Sequence, residues 1–301
     1  MAHTDRRTMR RVLRREIAGT IGLLTDEHDF RAMRRYRSFT FDDHTTYLRE
    51  VESLLRTRAT QGTITTVALF DPADYAEFCQ ETGLDPDRPA SRARFTAELA
   101  ATGASVPYDG QPLTDLLPRL IDTALRQATR ECASTLLARL GTCATCGEDI
   151  GHAAFVRASE LLLRILATSR SGDRHLVCSV AGPPETLLAV LRADDDTDGA
   201  TRLDETEALE FTTVLALGLT SHHPGGIVMR TSVPGTPDHI YGWRLRADGL
   251  EPLTAGEVFD AYCTDTETGD LIGPESGVDY REPPDLGDPG PATSGHHHQD
   301  H

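Results

Sequence analysis

The stretch LGTCATCGEDIGHAAF, residues 140–155, decides how the chain divides. Before it, from Pro112 to Leu140, Leu113, Leu116, Leu117, Leu120, Ile121, Leu125 and Leu136 recur at helical spacing. After it, residues 150–168 repeat that pattern with Phe155, Leu161, Leu162, Ile165 and Leu166. Between them Gly141 and Cys143-Ala144-Thr145-Cys146-Gly147 interrupt the periodicity. Two helices joined by a turn are expected, with a domain boundary near residue 141.

Cys-x-x-Cys followed by glycine is also the shape of a metal-binding knuckle. Two thiolates on a tight turn can share one tetrahedral ion, and glycine relieves strain where amides approach sulfur. A structural zinc site needs two more ligands. His175 and Cys178 in HLVC repeat the two-residue gap, so the chain reads C-x2-C-x28-H-x2-C. Cys143, Cys146, His175 and Cys178 are therefore the candidate zinc ligands. In a regular strand, residues three apart point to opposite faces, so this set converges only if the chain kinks at HLVC. Otherwise Cys132 or His152 completes the site, or the turn holds two incidental thiols. A redox pair is the remaining reading. A helix follows the turn, and helix N-termini lower thiol pKa values, but the preceding helix stands where a thioredoxin-like unit has a strand.

Working toward the N-terminus, PASRARFTAELAATG reads as a helix stopped by Gly103, and DPADYAEFCQETGL as a helix ending near Gly83. TITTVALF is β-branched and predicts a strand over 63–70. A further helix carries Tyr47, Leu48, Val51, Leu54 and Leu55 behind an Asp42 or Asp43 N-cap, which also accounts for Asp42-Asp43-His44 without catalysis. Met9, Val12, Leu13, Ile17, Ile21 and Leu24 predict an amphipathic helix over 9–24, and a short basic helix follows over 30–37. Pro118 is expected near a helix start, where proline is tolerated.

Toward the C-terminus the texture changes. RHLVCSV, GGIVMRTSV and HIYGWRLRA read as strands, the last two joined by PGTPD. ETLLAVLRA fits a strand or a short helix; DETEALEFTTVLALGL and LTAGEVFDAYC fit helices. The expected fold class is α+β: a mainly helical half over 1–141 with one short strand region, then an α+β domain over 142–275 with an antiparallel sheet and helices on one face. Residues 276–301 lack apolar spacing and are expected to form a disordered acidic, His-rich tail.

Composition narrows the chemistry. All 30 basic residues are Arg, which excludes Schiff-base lysines, Walker A lysines and the ATP-pairing lysine of ordinary kinases. No apolar run approaches the roughly 20 residues that cross a bilayer. Six cysteines in 301 residues do not resemble a secreted disulfide framework, so a cytoplasmic setting with reduced thiols is expected. Net charge is −17, yet residues 1–37 hold 10 Arg against 5 acids. An acidic body repels nucleic acid, so any such partner must meet Arg10, Arg11, Arg14, Arg15, Arg34 and Arg35. A protein partner or self-association through the same apolar-faced helices is the alternative.

Asp194, Asp196, Asp198, Gly199 and Glu205 match the spacing of a calcium-binding loop, but Thr201 and Arg202 occupy positions where that loop needs an apolar residue and an oxygen donor. An acidic surface loop capping the next helix is the competing reading. VALFDPADYAEFCQETGLDPD (67–87) and GEVFDAYCTDTETGDLI (256–272) resemble uncharacterised actinobacterial proteins without assigned function. The resemblance implies a bacterial cytosolic protein and carries over no catalytic residue. The leading expectation is a non-enzymatic interaction or regulatory protein with a structural zinc site. The alternatives are a metal-dependent hydrolase of unfamiliar type and a nucleic-acid-binding regulator using the basic arm.

Overall fold

A computed structural model describes residues 19–168, 172–182, 185–195, 201–221, 223–246, 249–264, 268, 270–284 and 286. The chain divides into two compact units, Met1–Ala128 and Thr129–His301. Helices and mixed sheets make it an α+β protein.

The first unit contains β1 (Gly19–Leu23), α1 (Glu27–Met33), α2 (His44–Thr60), β2 (Thr65–Leu69), α3 (Pro72–Thr82), α4 (Pro89–Thr102), β3 (Ser105–Pro107) and the start of α5 (Leu113–Ala138). Its sheet has the order β1-β2-β3, with β1 parallel and β3 antiparallel to β2. The TTVAL of β2 is central and buries Thr65, Val67 and Ala68, as β-branched residues at the middle of a sheet should. Asp43 caps α2 by accepting from Thr46 N at 2.8 Å, so the capping reading of Asp42-Asp43-His44 holds. The core is aromatic. Phe70 meets Phe95 edge-on at 5.1 Å, and Tyr36 meets Tyr75 edge-on at 5.7 Å, the offset geometry that ring quadrupoles favour.

One expectation fails here. Residues 19–23 form a strand, not the end of a helix running from residue 9. The apolar spacing of Ile21 and Leu24 suits a helix, but Gly19, Thr20 and Gly22 are poor helix formers, and β2 supplies a partner in parallel register from Gly19↔Thr65 to Leu23↔Leu69. A Cβ at Gly22 would lie 2.7 Å from the Phe70 ring, so glycine permits this approach. Residues 9–18 lie outside the described residues. The basic helix expected over 30–37 is α1, three residues earlier at its start, because Asp26 is its N-cap. Pro118, expected near a helix start, falls in the second turn of α5, inside the helix, where proline gives up the hydrogen bond to the Thr114 carbonyl and its ring crowds that same carbonyl.

The second unit holds the end of α5, then α6 (Ile150–Thr168), β4 (Asp173–Val180), β5 (Leu187–Asp195), β6 (Thr201–Leu203), α7 (Glu205–Thr220), β7 (Gly225–Ser232), β8 (Asp238–Arg246), β9 (Gly249–Pro252), α8 (Ala255–Tyr262) and β10 (Val278–Tyr280). The sheet order is β10-β8-β7-β4-β5-β6, with β9 also on β8. Every pairing is antiparallel except β10 with β8. ETLLAVLRA resolves as strand β5, and β10 forms inside the segment read as a disordered tail. Residues 287–301 lie outside the described residues.

Residues 210–219 of α7 are buried without interruption; FTTVLALGL (211–219) is apolar or small on all sides, and the charged Glu210 is buried with it. The helix packs between α6 and the β4–β5 face of the sheet. Gly218 makes that possible: a Cβ there would meet Val180 and Leu245 side chains at under 3 Å. Trp243, Phe211, Leu176, Cys178 and Met229 fill the same core. On the other side of the sheet, α8 lies over Gly242, where an added Cβ would touch Val258 at 3.0 Å.

Candidate metal-binding knuckle

The turn between α5 and α6 is built by backbone hydrogen bonds that close around Cys143. Thr142 and Asp149 form an antiparallel bridge. Cys143 N–H donates to Glu148 O at 2.8 Å, and Gly147 N–H donates back to Cys143 O at 2.9 Å. Ile150 N–H donates to Gly141 O at 3.1 Å, tying the turn to the first residue of α6. Gly147 has φ of 76°, a left-handed conformation that an L side chain adopts only with strain. The Asp149 carboxylate accepts from His152 N at 2.7 Å and caps the helix.

The chemistry of the turn lies at sulfur. Thr145 N–H donates to Cys143 Sγ at 3.4 Å. A thiol sulfur is a weak acceptor and a thiolate a strong one, so an amide aimed at sulfur stabilises the charged form that binds metal. Cys143 is buried, Cys146 is exposed, and neither is in a disulfide. The turn also precedes the N-terminus of a 19-residue helix, whose macrodipole favours negative charge nearby.

The other two candidate ligands do not join this turn. His175 and Cys178 sit on one regular strand, β4, with full register to β5 and β7 and no kink between them. His175 is exposed, whereas Cys178 points into the core with no accessible surface. The expected Cys143, Cys146, His175, Cys178 set is therefore corrected: strand alternation separates the latter two. Burial pushes the Cys178 thiol up to about 12, away from the thiolate a metal requires. His175 is pushed the other way, below its ordinary value, by desolvation and by the Arg192 guanidinium opposite it.

The calcium spacing falls on a β-hairpin. Asp194 lies in β5 opposite Arg202 of β6, which pairs with it at 2.5 Å and holds its carboxyl below the usual range. Glu205 opens α7 behind the Asp204 cap, and Asp196 and Asp198 lie outside the described residues. A strand enters where a calcium-binding helix-loop-helix has a helix, so Asp194 and Glu205 do not build the cage that the spacing offered as the lesser reading.

Residues 8–111 match the family model of a domain of unknown function (DUF8829). The stretch 67–87 lies within that match; the knuckle and the stretch 256–272 lie beyond it. The resemblance to an uncharacterised family thus has support in the first unit. No curated protein and no solved structure matches the chain.

Among the described residues, one group brings three potential metal ligands within 4.8 Å of one another: Asp26, His28 and Asp29. Sequence reading missed it because the three belong to a helix start, where Asp26 serves as N-cap by accepting from Asp29 N at 2.8 Å. That capping role accounts for the cluster, in which Asp26 and His28 are exposed and Asp29 is half-buried. Arg34 and Arg35 are exposed, and the Arg35 guanidinium lies 4.9 Å over the Tyr36 ring. Arg10, Arg11, Arg14 and Arg15 lie outside the described residues. No helix among the described residues is long and apolar enough to cross a membrane.

Proposed function

We propose that this chain is a non-enzymatic interaction protein of the cytoplasm whose turn between α5 and α6 carries zinc on Cys143 and Cys146. The observation that carries the reading is the Thr145 N–H directed at Cys143 Sγ inside a turn that already has the left-handed Gly147. The backbone of this turn is already ordered by its own hydrogen bonds. Zinc would supply a fixed cross-link between thiolates, a structural role requiring no substrate pocket. Apolar residues left on the surface of the adjoining helix, Leu163 at 66% exposure above all, support contact with another macromolecule.

The test is zinc binding by the reduced full-length chain, measured in competition with a colorimetric chelator. Affinity should fall at least about tenfold in Cys143→Ser, since one of the thiolate ligands is removed. A wild-type chain that never competes with the chelator overturns the reading.

A further inference from the structure

Resting on the interaction reading above but not on zinc, we propose that the open edge of β5 takes an extended segment of a partner protein, added as an antiparallel strand with an acidic side chain against Arg192. β4 lies along one side of β5 from Leu187 to Ala193. On the other side β6 covers only Ala193, Asp194 and Asp195. Among the described residues, no strand lies beside Leu187–Arg192 on that side. The Arg192 N–H is spent on Glu207 Oε2 at 3.0 Å, not on β4. In an antiparallel ladder, alternate residues turn both backbone groups to the same side. The N–H and C=O of Leu188 and Val190 therefore face outward with that of Arg192, and among the described residues no hydrogen bond reaches them there. Such an edge is a template for strand addition.

Side chains set what is added. Ala189, Leu191 and Ala193 point into the core, so Leu188, Val190 and Arg192 share the opposite face. Leu188 is 53% exposed, Val190 is half-buried and Arg192 is exposed. Among the described residues, the Arg192 guanidinium forms no ion pair; Glu207 bonds only its backbone. Asp194, on the same face, is taken by Arg202 at 2.5 Å. His175 stands opposite Arg192 on β4, with Arg230 beyond it on β7, so the row across the sheet offers no acid. Opposite charges directly across an antiparallel pair attract and like charges repel. An incoming strand with Asp or Glu across from Arg192, and apolar residues across from Val190 and Leu188, fits this edge. A second copy fits it less well. Pairing two β5 edges about Val190 sets Arg192 against Leu188 and brings together two chains of net charge −17.

The probe is a fluorescent synthetic peptide, Thr-Glu-Thr-Val-Thr-Val-Ser, titrated with the full-length chain and followed by anisotropy. Run antiparallel, it sets its Glu across from Arg192, its first Val across from Val190 and its second across from Leu188. Saturable binding is expected, with the Leu188 and Val190 amides slowed at least about tenfold in hydrogen exchange. N-methylation of the first Val removes the N–H that the Val190 carbonyl accepts and should weaken binding at least about tenfold. A peptide with Lys in place of Glu should bind about threefold more weakly, and Arg192→Glu should reverse that preference. Arg192 is exposed, so this variant should keep the melting temperature of the parent.

No saturable binding of the parent peptide, or equal binding of its N-methylated form, overturns strand addition. Protection that spares Leu188 and Val190 overturns the location, and a charge preference that survives Arg192→Glu overturns the register. A dimer that slows the same two amides without peptide overturns the partner named and assigns the edge to a second copy. Peptide binding unchanged by chelator, in a chain that never binds zinc, removes the zinc reading alone. Zinc binding without peptide binding removes this inference alone.

Discussion

Two segments of this chain carry metal-binding residue types at the same interval, and they behave in opposite ways. Cys143 and Cys146 are separated by two residues in a turn; His175 and Cys178 are separated by two residues in a strand. In the turn, the chain reverses through the left-handed Gly147 and aims an amide at sulfur. In the strand, side chains alternate, so one residue faces solvent and the other joins the core of Trp243 and Phe211. Equal intervals place side chains differently because the backbone conformations differ.

The sharpest way to break this comparison is to charge the thiol said to be inert. Cys178→Asp should destabilise the protein by about 3–5 kcal/mol in chemical denaturation, because an uncompensated carboxylate replaces a fully buried group. A loss below about 1 kcal/mol would mean that β4 can turn this side chain outward. Next in size is Gly147→Val. Nothing crowds a Cβ at this position, so the cost is backbone strain alone, about 1–3 kcal/mol, together with weaker zinc binding. Unchanged stability and affinity would show that the positive φ is not needed. Exposed Cys146 should react with an alkylating reagent in the native protein, whereas Cys178 should react only on unfolding, by at least about a hundredfold in rate. Peptide mass spectrometry distinguishes them.

The smallest effect concerns His175. Its folded pKa lies below the ordinary value of 6.5, so the unfolded chain binds its proton more readily. Neutral His175 therefore favours folding above 6.5, and that contribution is lost as pH falls through 6.5 toward the depressed folded value. His175→Gln should flatten the decline in stability across this window. An identical pH dependence in the variant would remove desolvation by the sheet and the Arg192 charge as causes.

The turn between α5 and α6 was legible because its signal is local: two cysteines, two flanking glycines and the ends of two periodic apolar segments all lie within a dozen residues. Helices α2 to α4, α6 and α7 were legible for the same reason, each having its own apolar stripe and stop or start residue. Strand β1 was not, because Ile21 and Leu24 satisfy a helical interval and the residues that compete for them, Thr65–Leu69, lie far along the chain. Strand β10 was hidden inside a polar tail for a related reason. Its three residues gain their backbone partners from Asp238–Ile240 of β8, not from any pattern of their own.

By itself the sequence determined the α+β class, the absence of lysine chemistry, and the two helices with the cysteine turn between them, since these depend on composition and on neighbours within a few residues. Only the tertiary structure decided which residues share a face and which meet. It turned Cys178 inward and His175 outward, paired Asp194 with Arg202 across a hairpin, and enclosed α7 between α6 and the sheet. Those outcomes follow from strand register and close packing, which are set by partners distant in the chain and leave no local mark.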